Sequence, residues 1–524
     1  MSDQSLVTLG CSRVLLMTDI LLETLELMST DGQLGLLVAS TQTCRAWEGI
    51  VLKVLWGGWE IDFMDLLEIL GPVAMTSKQA CSLDLPCSSS TAPWDRFRLA
   101  ASRIKRLCLQ DKLSPRLVTD LSNESKRSSP PIPRLRILHI GIELDRNAPE
   151  ILETTLLFMN NGLQTLIMDP LEDGEDDGSD DQINLTRILS QIPVISPKLT
   201  TLCLIACDLR GYGDSLLEML RSPPRLRRLT LFNLGDIGPL ATFMETCPNL
   251  EVLELVADEW STGGSRSAHL NPFPALAELT IGCSSAEGLI PLLWRVEKLE
   301  RLRFQCSSGR ISVEELGELS GRLSGIWHIG FGDSDWGSLS LKELWPLTRC
   351  RALETLRTNI RGLGAIDWTD GDVESLVSHL PRLKELAVRH YYYDGDIEEW
   401  PTPKATLQAL VAIITACSAI SVIELEIDAT VIPHWVTKES HASLKSVVVC
   451  NSPIVDSIGV ASFLIRLASS DGSSIQMAEE VPDSDYDSIW EDTMQLVQQG
   501  IAFSSNNGIE TTTAHMQSLY NISE

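Results

Sequence analysis

The chain has 13 cysteines and 8 histidines, the side chains that most often bind metal ions or act as nucleophiles and bases. Cys203 and Cys207 lie close together, but no second pair of cysteines or histidines accompanies them, as a zinc site would require. The histidines are scattered, and the phosphate-binding loop, the nucleophile elbow and the His-Glu-x-x-His motif are all missing from the sequence. We therefore predict no catalytic residue, no metal and no cofactor. An enzyme whose site carries no recognisable motif is the alternative hypothesis.

The cysteines favour a reducing compartment, because their number is odd and many stand inside apolar runs, as buried free thiols do. The N-terminal residues contain neither an uninterrupted apolar segment nor a small-residue cleavage site, so we expect no signal peptide and no transmembrane span. These observations predict a cytoplasmic or nuclear protein. The cysteines in apolar runs are Cys108, Cys203, Cys283, Cys306 and Cys450.

The charge balance argues against two classes of partner. The chain carries 42 lysines and arginines against 71 acidic residues, a net charge of −29. Such a surface repels nucleic acid and anionic lipid, so we predict neither a nucleic-acid nor a membrane partner, while a local basic patch remains compatible with the composition. With 44% hydrophobic residues, the chain is globular.

One phrase recurs along the chain: an apolar residue, two residues of any type, leucine, one further residue and another apolar residue. The spacing between copies is roughly 23 to 37 residues, which is typical of leucine-rich repeats that carry a helix. Strong copies begin at Leu135, Leu199, Leu226, Leu250, Leu276, Leu299, Leu353, Leu383, Ile420 and Leu444. Weaker copies begin at Ile104, Leu163 and Leu323, the last out of phase.

The phrases and the segments between them predict alternating strands and helices. The last two apolar residues of a phrase alternate as in a short strand. Segments 214–224, 238–248 and 372–381 have apolar residues three or four apart and then a proline, as a helix and its end would. One strand and one helix cannot bury both apolar faces, whereas stacking about a dozen such units builds a continuous core. We predict the α/β class, with a leucine-rich-repeat solenoid, or horseshoe, over residues 96–465.

One stretch, residues 389–400, combines aromatic and acidic side chains and is the predicted target-binding site. Aromatic residues beside acids could contact a basic segment of a bound protein. The simpler interpretation is a tyrosine-rich strand end followed by a solvated loop. The residues concerned are Tyr391, Tyr392, Tyr393 and Trp400.

A small helical unit is predicted before the repeats. Residues 17–28 and 34–40 have apolar faces, and in residues 43–56 a further face is formed by Cys44, Trp47, Val51, Leu55 and Trp56. A unit of roughly 40 residues has little interior, so some of its apolar side chains should dock against another protein. Taken alone, residues 43–56 are also compatible with an ordinary core helix.

This unit resembles the F-box. Thr43-Cys44-Arg45-Ala46-Trp47 followed by Leu55-Trp56 has the order and spacing of that family, and an F-box followed by leucine-rich repeats resembles the layout of fungal F-box proteins over nearly the whole chain. The resemblance implies a small all-α F-box domain over residues 13–60, with Cys44, Trp47, Val51, Leu55 and Trp56 in its core. The residues that it implies for adaptor binding are Ile20, Leu21, Leu25, Leu36 and Leu37.

The resemblance further implies the substrate-recognition subunit of a Skp–cullin–F-box ubiquitin ligase, without catalytic chemistry of its own. The F-box would bind a Skp-type adaptor and through it a cullin ligase, while the repeats would hold a target protein. The alternative is a leucine-rich-repeat interaction module with a degenerate F-box and no ligase role. Thr18 and Thr24 support it, since the family usually has a Leu-Pro-x-Glu-type start in place of Met17-Thr18-Asp19 and isoleucine in place of Thr24. The remaining predicted regions are a connecting segment at 61–95, a C-terminal cap at 466–503 and a disordered tail at 504–524.

Overall fold

The structure is a computed structural model that describes stretches of the chain between residues 60 and 507. Its longest gaps are 83–91, 170–184, 237–246, 260–272, 284–295, 307–324, 335–343, 392–401, 434–443 and 478–486. The chain forms two compact units. The first comprises Met1–Gly235 and Thr242–Leu250, and the second comprises Asp236–Ala241 and Glu251–Glu524.

In the first unit, six parallel strands lie side by side in sequence order, and helices lie between them along the chain. A separate antiparallel pair is formed by β2 and β3. The strands are β1 (Ile61–Asp62), β2 (Ala74–Thr76), β3 (Ala80–Ser82), β4 (Arg106–Leu109), β5 (Ile137–Ile140), β6 (Thr165–Met168), β7 (Thr201–Leu204) and β8 (Arg228–Asp236). The helices are α1 (Phe63–Leu67), α2 (Ala92–Ala101), α3 (Pro115–Arg127), α4 (Ala148–Phe158), α5 (Leu185–Ile195) and α6 (Gly213–Arg221).

The second unit follows the same plan with nine parallel strands in sequence order. The strands are β9 (Val252–Glu259), β10 (Glu278–Cys283), β11 (Arg301–Cys306), β12 (His328–Ser334), β13 (Thr355–Arg361), β14 (Glu385–Tyr391), β15 (Val422–Glu426), β16 (Ser446–Cys450) and β17 (Ser474–Met477). A 3-10 turn spans Trp345–Arg349, and the α-helices are α7 (Asp370–Ser378), α8 (Leu407–Ala416), α9 (Ser457–Leu467) and α10 (Asp487–Asn507).

The recurring phrase produces these strands as the sequence predicts. In the copy that begins at Leu135, that residue and Leu138 are fully buried and Ile140 is 2% exposed, while Ile137 and His139 are half-buried on the other face. The last two apolar residues of the phrase therefore point from the strand into the core. The first leucine is buried at the turn that leads into the strand. The repeated strands with leucine-rich cores and the α/β class are confirmed.

One weak copy of the phrase was placed wrongly. The out-of-phase copy is predicted to begin at Leu323, but Ile329 pairs with Leu302 and Leu356 in the neighbouring strands. The first residue of this copy is therefore Ile326, which is fully buried. The sheet register decides the phase here, because a shift of one residue would turn the whole strand to the opposite face.

A buried turn precedes eight of the described strands, and we call its first residue the turn position, three residues before the first apolar residue of a phrase. The backbone carbonyl at the turn position accepts a hydrogen bond from the N–H of that apolar residue at 2.9–3.4 Å. These residues are all buried although their chemical types differ. They are Ile132, Asn160, Ser196 and Cys247 in the first unit, and Phe273, Cys350, Leu380 and Cys417 in the second.

Polar side chains at the turn position bond to the same turn of the preceding repeat. The Asn160 amide donates to the Ile132 carbonyl at 3.3 Å, and the Ser196 hydroxyl donates to the Asn160 carbonyl at 3.0 Å. The Cys417 thiol donates to the Leu380 carbonyl at 3.4 Å. Side chains at this position therefore link successive repeats. Their hydrogen bonds give the buried backbone carbonyls of the preceding turn an additional partner.

The last described helix, α10, lies largely in the region predicted as a C-terminal cap. Helix α10 begins inside the predicted cap 466–503 and packs on α9. Trp490 is 3% exposed and its Nε1–H donates a 2.5 Å hydrogen bond to the Ser452 carbonyl. An indole that is buried and hydrogen-bonded in this way fixes the helix against the preceding repeat.

The predicted domain boundaries can be compared with the described strands at two places. Strand β1 lies inside the predicted connecting segment 61–95, and β17 lies inside the predicted cap 466–503. The F-box-like residues 13–59 and the predicted tail 508–524 lie outside the described residues. None of the described helices combines the length and the apolar character that crossing a bilayer requires.

Candidate protein-interaction surface

Alternation along the second unit's strands leaves one face of its sheet open to solvent, and we call this the strand face. Leu302, Phe304 and Leu356 point into the core and are at most 6% exposed. Their neighbours Arg301 and Arg303 are exposed on the opposite side. The strand face is a rigid platform, because its side chains are carried by backbone that is hydrogen-bonded to strands on both sides.

Register brings charged residues of different repeats into two rows on the strand face. The first row, from β10 to β14, contains Glu278, Arg301, His328, Thr355 and Glu385. The second row contains Thr280, Arg303, Gly330, Arg357 and Ala387. Neighbouring residues within a row are about 5 Å apart, so long side chains can reach one another.

Ion pairs bind several of these side chains together. Arg301 NH1 lies 2.9 Å from Glu278 Oε1, and Arg357 pairs with Glu385. Farther along the sheet, Arg389 donates from Nε at 2.6 Å and from NH2 at 3.1 Å to the two oxygens of Glu424. This two-point geometry orients both side chains, and it is the arrangement in which arginine binds a carboxylate most strongly.

An aromatic side chain borders the same region. The guanidinium of Arg301 lies over the ring of Trp327, 4.5 Å from its centroid, and the Trp327 indole N–H reaches Glu300 Oε2 at 3.5 Å. Arginine stacked on an indole beside a carboxylate is a combination that protein interfaces use often. The described strand face is therefore suited to binding another protein.

His328 lies among the arginines of this surface, and their charges affect the pKa of its imidazole. Burial, followed by the charges of Arg303, Arg357 and Arg301 in that order, lowers the pKa of its imidazole to about 4. The imidazole is therefore neutral at pH 7. It is held neutral by a low-dielectric site and a positive local potential.

The first unit carries a different cluster beside its first strands. His139 Nδ1 lies 3.0 Å from Glu60 Oε1 and 3.7 Å from Cys108 Sγ, and the ligand atoms of the three residues all lie within 4.8 Å of one another. Burial, followed by the charges of Glu60 and Asp62, raises the pKa of the Cys108 thiol to about 11. The thiol therefore keeps its proton at neutral pH and is a poor nucleophile. No sequence spacing indicated this cluster, because its members come from three separate segments.

The residues that the sequence singled out fall mainly outside the described residues. All five predicted adaptor-binding residues and all five predicted F-box core residues do so, as do Tyr392, Tyr393 and Trp400. Tyr391 is the last residue of β14 and pairs with Arg361. Cys203 lies on β7, in register with Ile167 and Thr230. The arginines and His328 of the strand face were missed, although the alternation of Arg301 and Arg303 with apolar residues was a usable signal.

Two solved structures illustrate what the chain is similar to. The crystal structure of the Rad7 and Elc1 complex in yeast is 15% identical, with 63% of this chain and 82% of that chain covered and a TM-score of 0.33. The leucine-rich-repeat-containing protein LegL7 from Legionella pneumophila is 14% identical, with 52% of this chain and 95% of that chain covered and a TM-score of 0.25. No family model and no curated protein sequence matches the chain.

Proposed function

We propose that the chain is a substrate-recognition subunit of a Skp–cullin–F-box ubiquitin ligase, in which the repeats bind a target protein and the N-terminal residues bind a Skp-type adaptor. The observation that carries the target-binding half is the strand face, where Arg301, Trp327 and the neighbouring ion pairs form a rigid, charged surface. The adaptor-binding half rests on the F-box-like residues Thr43–Trp47 and Leu55–Trp56.

In this proposal the chain performs no chemistry itself. It holds the target protein close to a ubiquitin-charged carrier that the cullin brings, and the gain in rate comes from proximity and orientation. A repeat stack suits this role, because each repeat supports the next and the surface keeps its shape when the target binds. The place of action would be the cytoplasm or the nucleus.

The adaptor contact would lie on the first predicted helix and the segment after it. Ile20, Leu21 and Leu25 share the apolar face of the helix, and Leu36 and Leu37 extend it. Burying one aliphatic side chain contributes about 1.5–3 kcal/mol. Replacing two of these leucines by aspartate should therefore weaken adaptor binding by orders of magnitude.

The test is co-purification of the full chain with a Skp-type adaptor, comparing the wild type with the double variant Leu21→Asp, Leu25→Asp. Leu99→Asp is the matched control, because Leu99 is also a helical leucine but is 59% exposed in the described structure. We expect the wild type and the control to bind the adaptor and the double variant to lose it.

A well-folded wild type that does not bind the adaptor would contradict the ligase role. The chain would then be the alternative, a leucine-rich-repeat interaction module with a degenerate F-box, for which Thr18 and Thr24 are the supporting observations. Adaptor binding that survives in the double variant would contradict only the assignment of the contact to Leu21 and Leu25.

A further inference from the structure

Four side chains at the centre of the strand face form a group that we call the arginine cluster: Arg301, Arg303, His328 and Arg357. A Cβ atom placed on Gly330 would lie 3.5 Å from Arg303 Cγ, 3.8 Å from Arg303 Nε and 3.7 Å from His328 Nε2. The Arg303 side chain and the His328 ring therefore meet over Gly330. Gly330 pairs with Arg303 on β11 and with Arg357 on β13. Two arginines therefore flank a residue without a side chain.

The charges of the arginine cluster are not balanced by the described carboxylates. Glu278 pairs with Arg301 and Glu385 pairs with Arg357. Among the residues that the structure describes, Arg303 has no carboxylate within ion-pair distance. In a chain with 71 acidic and 42 basic residues, a guanidinium beside two others without its own counter-charge is uncommon.

The surroundings of His328 agree with this charge distribution. The charges that lower its pKa come from the three arginines of the cluster, after burial as the largest cause. The potential at the centre of the strand face is therefore positive, although the chain as a whole is strongly negative. A positive patch on an acidic protein attracts anionic groups locally.

We propose that the arginine cluster anchors an acidic peptide segment of the bound target protein, with one anionic group of that segment held between Arg303 and Arg357. Arginine suits this role, because its planar fork of N–H donors matches the oxygens of a carboxylate or a phosphate. A phosphoserine would present the same chemistry as glutamate or aspartate with more charge. The inference rests on the target-binding half of the proposed function and not on its adaptor-binding half.

The strand face also fits the shape of such a ligand. Arg303 is exposed, its side chain lies over Gly330 beside the His328 ring, and Trp327 with its stacked Arg301 provides an apolar border. An extended segment can place one acidic side chain at the centre and its neighbours against the ring. Nucleic acid shares the anionic charge, but the surrounding carboxylates of Glu278, Glu385 and Glu424 would repel a long phosphate backbone.

The test measures fluorescence anisotropy of labelled octapeptides with the purified full chain. One peptide contains alternating glutamate and glycine, a second has glutamine for glutamate, and a third is the second with one phosphoserine. A poly-dT oligonucleotide is the fourth probe. The proteins are the wild type, Arg303→Gln, Arg303→Lys and the control Arg382→Gln, which removes an exposed arginine of the same unit that lies in a turn and off the strand face.

We expect the wild type and Arg382→Gln to bind the glutamate or the phosphoserine peptide and not the glutamine peptide. Arg303→Gln should weaken that binding at least tenfold, and Arg303→Lys should weaken it less. Binding of both anionic peptides would identify any acidic segment as a ligand, and binding of the phosphoserine peptide alone would identify phosphate as the recognised group. On binding, the His328 resonances should show a raised pKa, since a bound anion stabilises the imidazolium.

Three results would overturn the proposal: no binding of either anionic peptide by the wild type, equal losses for Arg303→Gln and Arg382→Gln, or tighter binding of the oligonucleotide with the same dependence on Arg303. The same preparations can be tested for adaptor binding. Arg303→Gln should retain it, and the Leu21→Asp, Leu25→Asp variant should retain peptide binding, so a failure of one half is distinguishable from a failure of the other.

Discussion

The hydroxyl of Ser196 donates a 3.0 Å hydrogen bond to the backbone carbonyl of Asn160, which occupies the turn position of the preceding repeat. Ser196 is fully buried and Asn160 is 5% exposed. Asn160 in turn bonds to the carbonyls of Ile132 and Leu135 at 3.3 and 3.4 Å. Three successive repeats of the first unit are therefore joined through side chains as well as through the sheet.

Ser196→Ala should lower the free energy of unfolding of the first unit by about 0.5–1.5 kcal/mol, the usual net value of one hydrogen bond. Ser196→Cys should lower it less, because a thiol already fills the turn position at Cys417 and donates there. Urea unfolding of the three proteins measures the difference. The control is Ser190→Ala, whose exposed hydroxyl bonds only within its own helix, to the Arg187 carbonyl. Equal losses at positions 190 and 196 would contradict the role of this bond.

Cys417 should resist alkylation in the native protein. Its side chain is fully buried, and burial raises the pKa of the thiol to about 12, so the reactive thiolate is scarce at pH 8. We expect iodoacetamide to modify Cys417 only after denaturation, as measured by mass spectrometry of its tryptic peptide. Cys350, whose pKa burial raises to about 11, should behave in the same way. Modification of native Cys417 at the rate of free glutathione would show that the turn position opens readily.

Asp370→Ala should destabilise the second unit by about 1–3 kcal/mol, because it removes two acceptors from a partly buried site. Asp370 accepts a 2.6 Å bond from the Thr406 N–H and a 2.8 Å bond from the Thr406 hydroxyl, and so ties α7 to the start of α8. The control Asp367→Ala removes a surface ion pair with Lys404, which contributes about 0–1 kcal/mol. Chemical denaturation measures both variants, and the prediction fails if Asp367→Ala is the more damaging change.

His328 should make the second unit less stable in acid. Its pKa in the folded protein is about 4 against an ordinary value of 6.5, so between these values the unfolded chain binds more protons. The stability from the neutral imidazole is therefore fully present above pH 6.5 and is lost as the pH falls toward 4. His328→Gln should lose less stability than the wild type between pH 7 and pH 5, as measured by urea midpoints.

The arginines that face His328 allow a second check on the same group. Arg303→Gln should raise the pKa of His328 toward its ordinary value, because Arg303 lowers that pKa more than Arg357 or Arg301 does. Titration of the His328 ring by NMR measures this shift. An unchanged pKa would mean that burial alone accounts for the lowered value.

Local patterns in the sequence determined the strands, the α/β class and the final helix. The period of two that buries Leu138 and Ile140 is a property of neighbouring residues, so it can be read without knowing the partner strands. The same is true of the helix around Trp490, whose apolar residues recur at helical spacing. The copy at Leu323 was out of phase because its last position falls on the polar residue His328, and the pairing of Ile329 with Leu302 and Leu356 places the start at Ile326.

Only the tertiary structure decided which charges meet. Arg303, His328 and Arg357 come from three repeats, and their proximity depends on the register of three strands and on segments of unequal length between them. The same applies to Glu60, Cys108 and His139, which lie within reach of one another although no sequence spacing joins them. Backbone alternation in the sequence indicates which residues of a strand share a face, whereas neighbours across strands follow from the hydrogen-bond register of the sheet, which can also correct the phase of a strand.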